Sequence, residues 1–422
     1  MLVDQCGSGQ TAGFRHRPSR ATKNRPFPPE LGRRGRGKGG PTLFWLSLIT
    51  VFYTYAVYPL LLWVLTKGRR TDPPPTNDAG LPAVDLIVAA REEAGTIEHL
   101  LASCARLEYP SDRLQITVVV TGESKATTAA VESCRPALES AGIGLQALIG
   151  DPADPSKSAA LNQAISCTSG ELLVFTDANV RLDSRAIATL VSWFASPQIG
   201  AVAGRKRAFR EGGGMSSEGD RAYWSYEAFI KEREALLHSV AGADGALYAV
   251  RREAYRPTAS CADDLAVSLA VTGQGKRIAF ARDAVAYESS TRRLGDEFRR
   301  RLRTLSCALD ELWRSRTLVS AGGPVFAWIV VSHKIMRYLA AYALVGMLAG
   351  SAAARGRFYR SVFLLQVLGG AVAVLAGVVA AAGKVRPAVA VPLYGLAAQA
   401  AAILAPLRLV RRRHRDWTPT PR

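Results

Sequence analysis

The chain alternates between long apolar segments and strongly charged ones, and this segregation limits the folds open to it. The apolar segments lie at Leu43–Leu65, Gly323–Gly350, Ser361–Ala382 and Ala388–Leu407. Each is about as long as the ~20 apolar residues that cross a bilayer core. Although 48% of the residues are hydrophobic, 21% are charged, and the charges concentrate between and outside the apolar segments. This distribution predicts a membrane protein with one large soluble domain at roughly residues 70–317.

The same segregation predicts a linear order of segments. We predict a disordered basic tail at 1–41, a transmembrane helix at 42–66, the soluble domain at 70–290 and an amphipathic interfacial region at 291–320. Three further apolar helices follow at 321–350, 361–382 and 388–408, and a second basic tail at 409–422. Because His333, Lys334 and Arg337 interrupt the segment 321–350, it is predicted either to span the membrane or to lie in its interface. The number of crossings stays open between three and four.

The net charge of +19 is concentrated next to the membrane. Nine Lys and Arg residues lie within residues 1–41, and a second basic group follows the last apolar segment. Bases in such positions attract anionic lipid head groups, which accounts for the excess charge. The predicted partners therefore include membrane lipids and no nucleic acid.

Six cysteines, at positions 6, 104, 134, 167, 261 and 307, form no Cys-x-x-Cys pair and have no histidine at a metal-ligand spacing. They argue against a zinc site and predict a reducing compartment, with most thiols buried as small apolar side chains. The positive-inside rule conflicts with this, because a cytoplasmic basic tail and one crossing would export the soluble domain. Long domains escape that rule, so we predict a multi-pass protein of a bacterial inner or plasma membrane with its soluble domain in the cytoplasm.

Strand patterns alternate with helix patterns within the soluble domain. Strands are predicted at 83–90, 114–120, 145–149 and 172–175, and helices at 96–107, at 125–140 and from Lys157 onward. Repeated strand and helix units of this spacing predict an α/β domain of parallel βαβ units with right-handed crossovers. The first strand is followed by neither a Walker loop nor a Gly-x-Gly-x-x-Gly sequence, which argues against kinase-type and dinucleotide-binding domains.

The polar sequence Asp177-Ala-Asn179 directly follows the apolar run 172–175. The carboxyl ends of parallel strands face the crevice in which open α/β sheets bind ligands. Two oxygen-bearing side chains separated by one residue can reach one hard cation. A strand followed by an Asx turn explains the same residues, and taken alone the turn is favoured.

Several ordered motifs give the chain a resemblance to a known family. They are Pro82-x-Val-x-Leu-Ile-Val-Ala-Ala-Arg-Glu-Glu, Leu107-x-Tyr-Pro110, Lys157-x-Ala-Ala-Leu-Asn162, Phe175-Thr-Asp-Ala-Asn179, Gly242-Ala-Asp-Gly-Ala-Leu-Tyr-Ala-Val-Arg-Arg252, Ala262-Asp-Asp-Leu265 and Ser332-His-Lys-x-x-Arg337. Together they resemble the membrane-bound inverting glycosyltransferases of family 2, of the cellulose synthase and hyaluronan synthase type. The resemblance implies an α/β fold of the GT-A type, a mixed, mostly parallel sheet flanked by helices, joined to transmembrane α-helices.

The resemblance also implies the site residues. It assigns the metal, Mg²⁺ or Mn²⁺, to Asp177 with Asn179 as a neutral partner, where the family usually has a second aspartate. It assigns the general base to Asp264, beside Asp263, although two acidic residues also suit a helix N-terminus. Substrate contacts are implied at six positions: Ala89, Glu93, Glu123, Lys157, Asp244 and Arg301. A β-turn at Asp244-Gly245 is nearly as good an explanation of Asp244.

Two departures from the family pattern bear on the substrates. Where the family commonly has Asp-Asp-Gly-Ser, this chain has Thr121-Gly-Glu-Ser124, so the contact to the nucleoside falls to Glu123 or to another group. Where polymer-forming members have Gln-x-x-Arg-Trp, it has Phe298-Arg-Arg-Arg301-Leu302, which keeps the arginine and lacks the tryptophan platform for an acceptor sugar. Trp417, near the carboxyl end, resembles the tryptophan-containing ends of polysaccharide synthases, so a processive enzyme remains an alternative.

The resemblance predicts a transferase that moves a sugar, with inversion, from a nucleotide-diphosphate sugar of the UDP class. The acceptor is predicted to be a polysaccharide or a lipid-linked glycan at the cytoplasmic membrane face. Two alternatives stay open: a non-processive enzyme that adds one sugar to a lipid carrier, and a degenerate scaffold that keeps the fold without catalysis.

Overall fold

The computed structural model describes residues 39–70, 80–122, 124–209, 218–289, 294–381 and 391–410. The predicted basic tails fall almost wholly outside these residues, and Glu123 lies outside them as well.

One eight-stranded mixed sheet forms the centre of the soluble domain. Its strands are β1 Val84–Ala90, β2 Leu114–Val120, β3 Gly144–Ile149, β4 Leu172–Asp177, β5 Val180–Leu182, β6 Ile199–Phe209, β7 Tyr248–Arg251 and β8 Arg277–Ser289. They lie in the order β3-β2-β1-β4-β7-β6-β8-β5. Strands β1, β2, β3 and β4 pair in parallel, β6 pairs in parallel with β8, and β7 runs antiparallel to both β4 and β6.

Helices cover both faces of this sheet. Those of the soluble domain are α3 Ala94–Cys104, α4 Lys125–Ser133, α5 Arg135–Ser140, α6 Lys157–Ser166, α7 Ala186–Ser192, α8 Glu218–Leu237 and α9 Asp263–Gly273. Strand β1 is buried along its whole length, and its alternate side chains enter two separate cores. Leu86 joins the core that contains α3, whereas Ile87 joins the core that contains α6. This alternation is why the β1 sequence is almost continuously apolar.

The four strands predicted from apolar runs all form, and β2 has the predicted bounds. The helix predicted at 125–140 is two helices, α4 and α5, because α4 ends at Ser133 and Pro136 occupies the first turn of α5. A proline has no backbone N–H to continue the hydrogen bonding of the preceding helix.

The apolar segments form long helices. They comprise α1 Gly39–Phe52 and α2 Tyr58–Leu65, α12 Gly323–Val330 and α13 Met336–Ala353, α14 Arg357–Ala381 and α15 Val391–Val410. Short π-helical stretches join α1 to α2 and α12 to α13. Three helical stretches in the described part of the chain, at Gly39–Leu65, Gly323–Ala353 and Arg357–Ala376, are long and apolar enough to cross a membrane, and the apolar part of α15 is shorter.

The predicted amphipathic region contains α10 Leu294–Arg314 and α11 Arg316–Ala321. Helix α10 packs against α15 and α13, where Ser306 Oγ lies 3.3 Å from the carbonyl of Ala405 and Tyr338 Oη donates to the carbonyl of Leu305 at 2.7 Å. This region therefore connects the sheet domain to the apolar helices α13 and α15.

The cysteine prediction is wrong for one pair. Cys261 and Cys307 form a disulfide that joins the segment before α9 to α10, with their Cα atoms 5.5 Å apart. Of the described free cysteines, Cys104 is buried, Cys134 is partly exposed and Cys167 is exposed. The 46-residue separation of the pair gave no spacing signal, and only the packing of α10 brings the two sulfurs together. The inferred reducing compartment loses this support.

Small residues allow α1 and α13 to pack with their backbones in contact. A Cβ atom built on Gly350 would lie 2.6 Å from the backbone nitrogen of Phe44, and one on Gly40 would lie 2.8 Å from that of Ala354. One turn from Gly350, a Cβ on Gly346 would collide with Ser47. The two glycines of α13 are four residues apart, as in the small-residue motifs of close transmembrane helix pairs.

We expect Gly350→Ile to lower the free energy of unfolding by about 1–3 kcal/mol, because the side chain must push α1 and α13 apart. Gly369→Ile on α14 is the matched control, because a Cβ there meets nothing within 4 Å. Thermal unfolding in detergent, followed by tryptophan fluorescence, compares the two variants. Equal stability of both would contradict the close packing.

Candidate active site

Lys157 and Asp177 meet at the carboxyl end of the sheet. Ser156 caps α6 through its hydroxyl, which places Lys157 in the first turn, while Asp177 is the last residue of β4. The Lys157 ammonium donates to Asp177 Oδ1 at 2.9 Å. Ala89, near the end of β1, lies directly opposite Asp177 in the parallel register. Three predicted site residues therefore lie at one edge of the sheet.

Asp263 joins this pair from the start of α9. Its Oδ1 lies 3.3 Å from Lys157 Nζ, so one ammonium bridges two carboxylates from different elements. Asp263 is buried, and its Oδ2 has no hydrogen-bond partner among the described residues. Burial raises the pKa of Asp263 despite the nearby lysine.

Asp264 faces a different segment from its neighbour. Its Oδ2 accepts a hydrogen bond from the Gly245 amide at 2.9 Å, and its Oδ1 accepts one from the Leu265 amide at 2.8 Å. Burial raises the pKa of Asp264 to about 6, and the like charge of Asp263 acts in the same direction. Asp264 occupies the first turn of α9, as the helix-terminus explanation requires, and it also contacts the segment before β7. Its carboxylate can accept a proton near neutral pH.

Asp244 forms a turn and an ion pair at once. Its carbonyl accepts the Leu247 amide at 3.1 Å, as in a β-turn, and its Oδ2 accepts the Lys231 ammonium of α8 at 2.7 Å. Burial opposes ionisation, but Lys231 and Lys206 hold the pKa of Asp244 below its ordinary value. The β-turn explanation of Asp244 is therefore confirmed, and its contact with a substrate stays a prediction.

Asn179 faces a carboxylate that the sequence did not single out. Its amide nitrogen lies 3.5 Å from Glu288 Oε1, and Lys206 forms an ion pair with the other oxygen of Glu288. Glu288 is buried at the end of β8, directly opposite Val180 of β5. The sequence held no signal for this residue, because only the pairing of β5 with β8 brings Glu288 to the motif.

Within the arginine run, Arg300 and Arg301 both pair with Glu297, and Arg300 donates to its two oxygens at 3.0 Å each. Burial by itself lowers the pKa of Arg300, but Glu288, Glu297 and Asp177 raise it above its ordinary value. Arg301 Nε donates to the same carboxylate, at Glu297 Oε1, at 2.5 Å, and its guanidinium lies 5.9 Å from the ring centre of Tyr223. A contact of Arg301 with the substrate stays a prediction.

Glu93 lies just beyond the carboxyl end of β1, at the cap position of α3. Its Oε2 accepts the Thr96 hydroxyl at 2.6 Å, and its amide donates to Thr127 Oγ1 at 3.0 Å. These contacts hold the loop between β1 and α3 against α4. Glu123, the other carboxylate predicted near the nucleoside, lies outside the described residues.

The carboxylates of the site suit a metal ion that takes only some of its ligands from the protein. In the described part of the chain, no group of three or more His, Cys, Asp or Glu side chains could hold a metal by itself. Mg²⁺ sites of nucleotide enzymes commonly use one or two carboxylates and complete the shell with phosphate oxygens and water. Asp177, with about a third of its side chain exposed, and the unpartnered Oδ2 of Asp263 fit that pattern.

Comparison with curated proteins finds related enzymes. The chain is 26% identical over 248 residues to a beta-monoglucosyldiacylglycerol synthase of Synechocystis sp., covering 55% of this chain and 51% of that protein. It is 25% identical over 174 residues to the synthase of the same name from Trichormus variabilis, covering 41% of this chain and 36% of that protein. The chain thus spans about half the length or less of these relatives.

A solved structure shares the fold. The mannosyltransferase PcManGT from Pyrobaculum calidifontis, in complex with GDP-Man and Mn²⁺, superposes with a TM-score of 0.66 at 22% identity. The match covers 88% of this chain and 99% of that one, and it supports the predicted GT-A architecture. The model of the glycosyltransferase like family 2 matches residues 82–306, which is more than half of the chain. The chain therefore belongs to the glycosyltransferase like family 2.

Proposed function

We propose that the protein transfers one sugar from a nucleotide-diphosphate sugar, with inversion, to a lipid acceptor at the membrane surface. The observation that carries this proposal is the position of the carboxylates Asp177, Asp263 and Asp264 relative to the helical stretch Gly323–Ala353. Gly245, whose amide donates to Asp264, lies three residues after Gly242. A Cβ atom built on Gly242 would lie 3.8 Å from the Nζ atom of Lys334, which belongs to the helical stretch Gly323–Ala353. An acceptor hydroxyl next to Asp264 would be close to the lipid phase.

The relatives support a lipid acceptor. The two synthases are named for glucosylated diacylglycerol, and this chain lacks the tryptophan that polymer-forming members carry beside the retained arginine. Transfer of one sugar to a lipid is therefore favoured over processive synthesis.

The donor diphosphate would lie against Asp177, Lys157 and Arg300. The Lys157 ammonium and the Arg300 guanidinium can neutralise phosphate oxygens. Asp177 and Asp263 would hold a divalent metal ion against the same diphosphate. Such a cation neutralises the charge that develops on the leaving diphosphate. The related mannosyltransferase structure holds GDP-Man and Mn²⁺, so a guanine nucleotide stands beside the UDP-sugar as a donor to test.

Asp264 would act as the general base. The acceptor oxygen forms a bond to the anomeric carbon while the bond from that carbon to the diphosphate oxygen breaks, and the acceptor proton passes to the Asp264 carboxylate. The Gly245 and Leu265 amides orient that carboxylate, and its raised pKa makes it a stronger proton acceptor at neutral pH.

We expect Asp264→Asn to lower kcat about 100- to 10,000-fold without weakening donor binding, because the amide cannot accept the proton. Asp112→Asn, at an exposed surface carboxylate, should leave both unchanged. Membrane preparations would receive a panel of labelled UDP- and GDP-sugars with Mg²⁺ or Mn²⁺. One small lipid product supports the proposal, long chains would favour a synthase, and no turnover of any donor by the native chain would favour a scaffold.

We expect kcat/KM to fall about tenfold per pH unit below about pH 6, because the base works only when it is deprotonated. Asp263→Asn should move this limb to lower pH, since removal of a like charge lowers the pKa of Asp264. The position of the limb is measured independently of the absolute rate. A limb that stays in place in the Asp263→Asn variant would contradict the coupling of the two carboxylates.

A further inference from the structure

The membrane helical stretch Gly323–Ala353 presents a buried histidine to α8 of the soluble domain. His333 is 1% exposed, and both of its ring nitrogens face carboxylates. Its Nδ1 lies 2.6 Å from Glu234 Oε1, and its Nε2 lies 2.8 Å from Glu227 Oε1. Ionised carboxylates only accept hydrogen bonds, so His333 donates from both nitrogens when Glu227 and Glu234 are ionised.

The same two carboxylates bind further groups from the membrane helices. Tyr58, in the first helical stretch, donates to Glu234 Oε1 at 2.6 Å, and Arg337, one turn beyond His333, donates to Glu227 Oε2 at 2.8 Å. Burial opposes ionisation of Glu227, but Arg337 and His333 hold its pKa well below the ordinary range. Helix α8 therefore joins two membrane helices through charge-assisted hydrogen bonds.

The other side of Glu234 reaches the candidate active site. Its Oε2 accepts the Ala241 amide at 3.0 Å, and Ala241 begins the segment that ends at Gly245. Helix α8 also contributes Lys231, which holds Asp244 in this segment. The last residue of the segment, Gly245, donates to the Asp264 carboxylate.

A second contact fixes the middle of this segment. The Ala243 amide donates to Ser268 Oγ at 2.9 Å, and that hydroxyl donates to the backbone carbonyl of Asp264 at 2.7 Å. Segment 241–245 is thus attached to α8 at one end and to the start of α9 at the other. A displacement of Glu234 would be passed to Asp264 over a single short segment.

Stability alone is a weak explanation for so many buried charges. Desolvation of ionised groups is costly, and a buried ion pair is often no more stabilising than apolar residues of the same volume. Such a network does fix the orientation of the Glu234 carboxylate, because each of its oxygens accepts a hydrogen bond from a defined partner.

We propose that His333 and Glu234 are positioning residues that set the orientation of Asp264 from the membrane helices. The proposal rests on the function proposed above for Asp264. The donor diphosphate would lie against Lys157 and Asp177, which pair with each other and with Asp263. Glu234 instead holds the segment that leads to Asp264, so His333 and Glu234 act on the acceptor step.

The test uses the full chain in lipid nanodiscs. We expect His333→Gln to lower kcat about 10- to 100-fold, because a small displacement of a catalytic group has an effect of this size. The Kd for the nucleotide sugar, measured by equilibrium binding, should change less than about twofold. Glu234→Gln should act in the same direction, and the double variant should be no worse than the poorer single variant because both break one bridge.

Tyr53→Phe is the matched control. It removes a partly buried 2.8 Å hydrogen bond to Ser332 and a 3.1 Å hydrogen bond from Trp328 between the same helical stretches, and it leaves the partners of Glu227 and Glu234 in place. Its kcat should stay within about twofold of the native value. The positioning role is overturned if donor Kd weakens in parallel with kcat, if Tyr53→Phe has the same effect, or if the double variant is additive.

Added imidazole gives a readout that a folding defect would not produce. We expect purified His333→Gly to regain part of its kcat in imidazole, and no recovery in a folded, donor-binding sample would count against the proposal. The function is judged separately, on the native chain: if it binds a nucleotide sugar but transfers to no acceptor, the proposed function fails. Non-additive stability changes in the double-mutant cycle would still detect the bridge itself.

Discussion

The ammonium of Lys157, held between Asp177 and Asp263, is the interaction on which the site depends. Without a cation there, two carboxylates from β4 and α9 would face each other in a partly buried space, where like charges repel strongly. Loss of one partner of such a pair leaves an uncompensated charge, which is strongly destabilising when it is buried. The lysine thus allows the carboxylates to remain close together before any substrate or cation arrives.

The dependence extends from the site to the fold. Lys157 is in place because Ser156 caps α6 at the point where the chain returns to the sheet, and Asp177 is in place because β4 ends beside β1. Asp263 arrives from a helix that starts after the antiparallel strand β7, so parallel and antiparallel parts of the sheet each contribute one carboxylate. The cluster therefore combines the end of a parallel strand with the start of a helix that follows the antiparallel strand β7.

The sequence predicted the part of the site that local patterns encode. An apolar run ended by a polar residue identifies a strand end, which is how Asp177 could be found, and the motif resemblance added Lys157 and the pair at the start of α9. Glu288 is brought to the motif by the pairing of β5 with β8, a long-range contact that no short sequence pattern encodes. The Cys261 to Cys307 disulfide escaped prediction for the same reason.

The basic residues of the apolar segment 321–350 left its position relative to the membrane undecided at the level of sequence. His333 and Arg337 interrupt an apolar run, and charged groups in lipid are costly, so sequence reasoning could not decide between a spanning and an interfacial helix. In the fold they face Glu227 and Glu234 of α8 instead of lipid, and the stretch Gly323–Ala353 is continuous and long enough to span. The cost of burying the charges is offset by partners in the soluble domain. Glu234 thus contacts both this apolar helical stretch, through His333, and the segment beside Asp264, through the Ala241 amide.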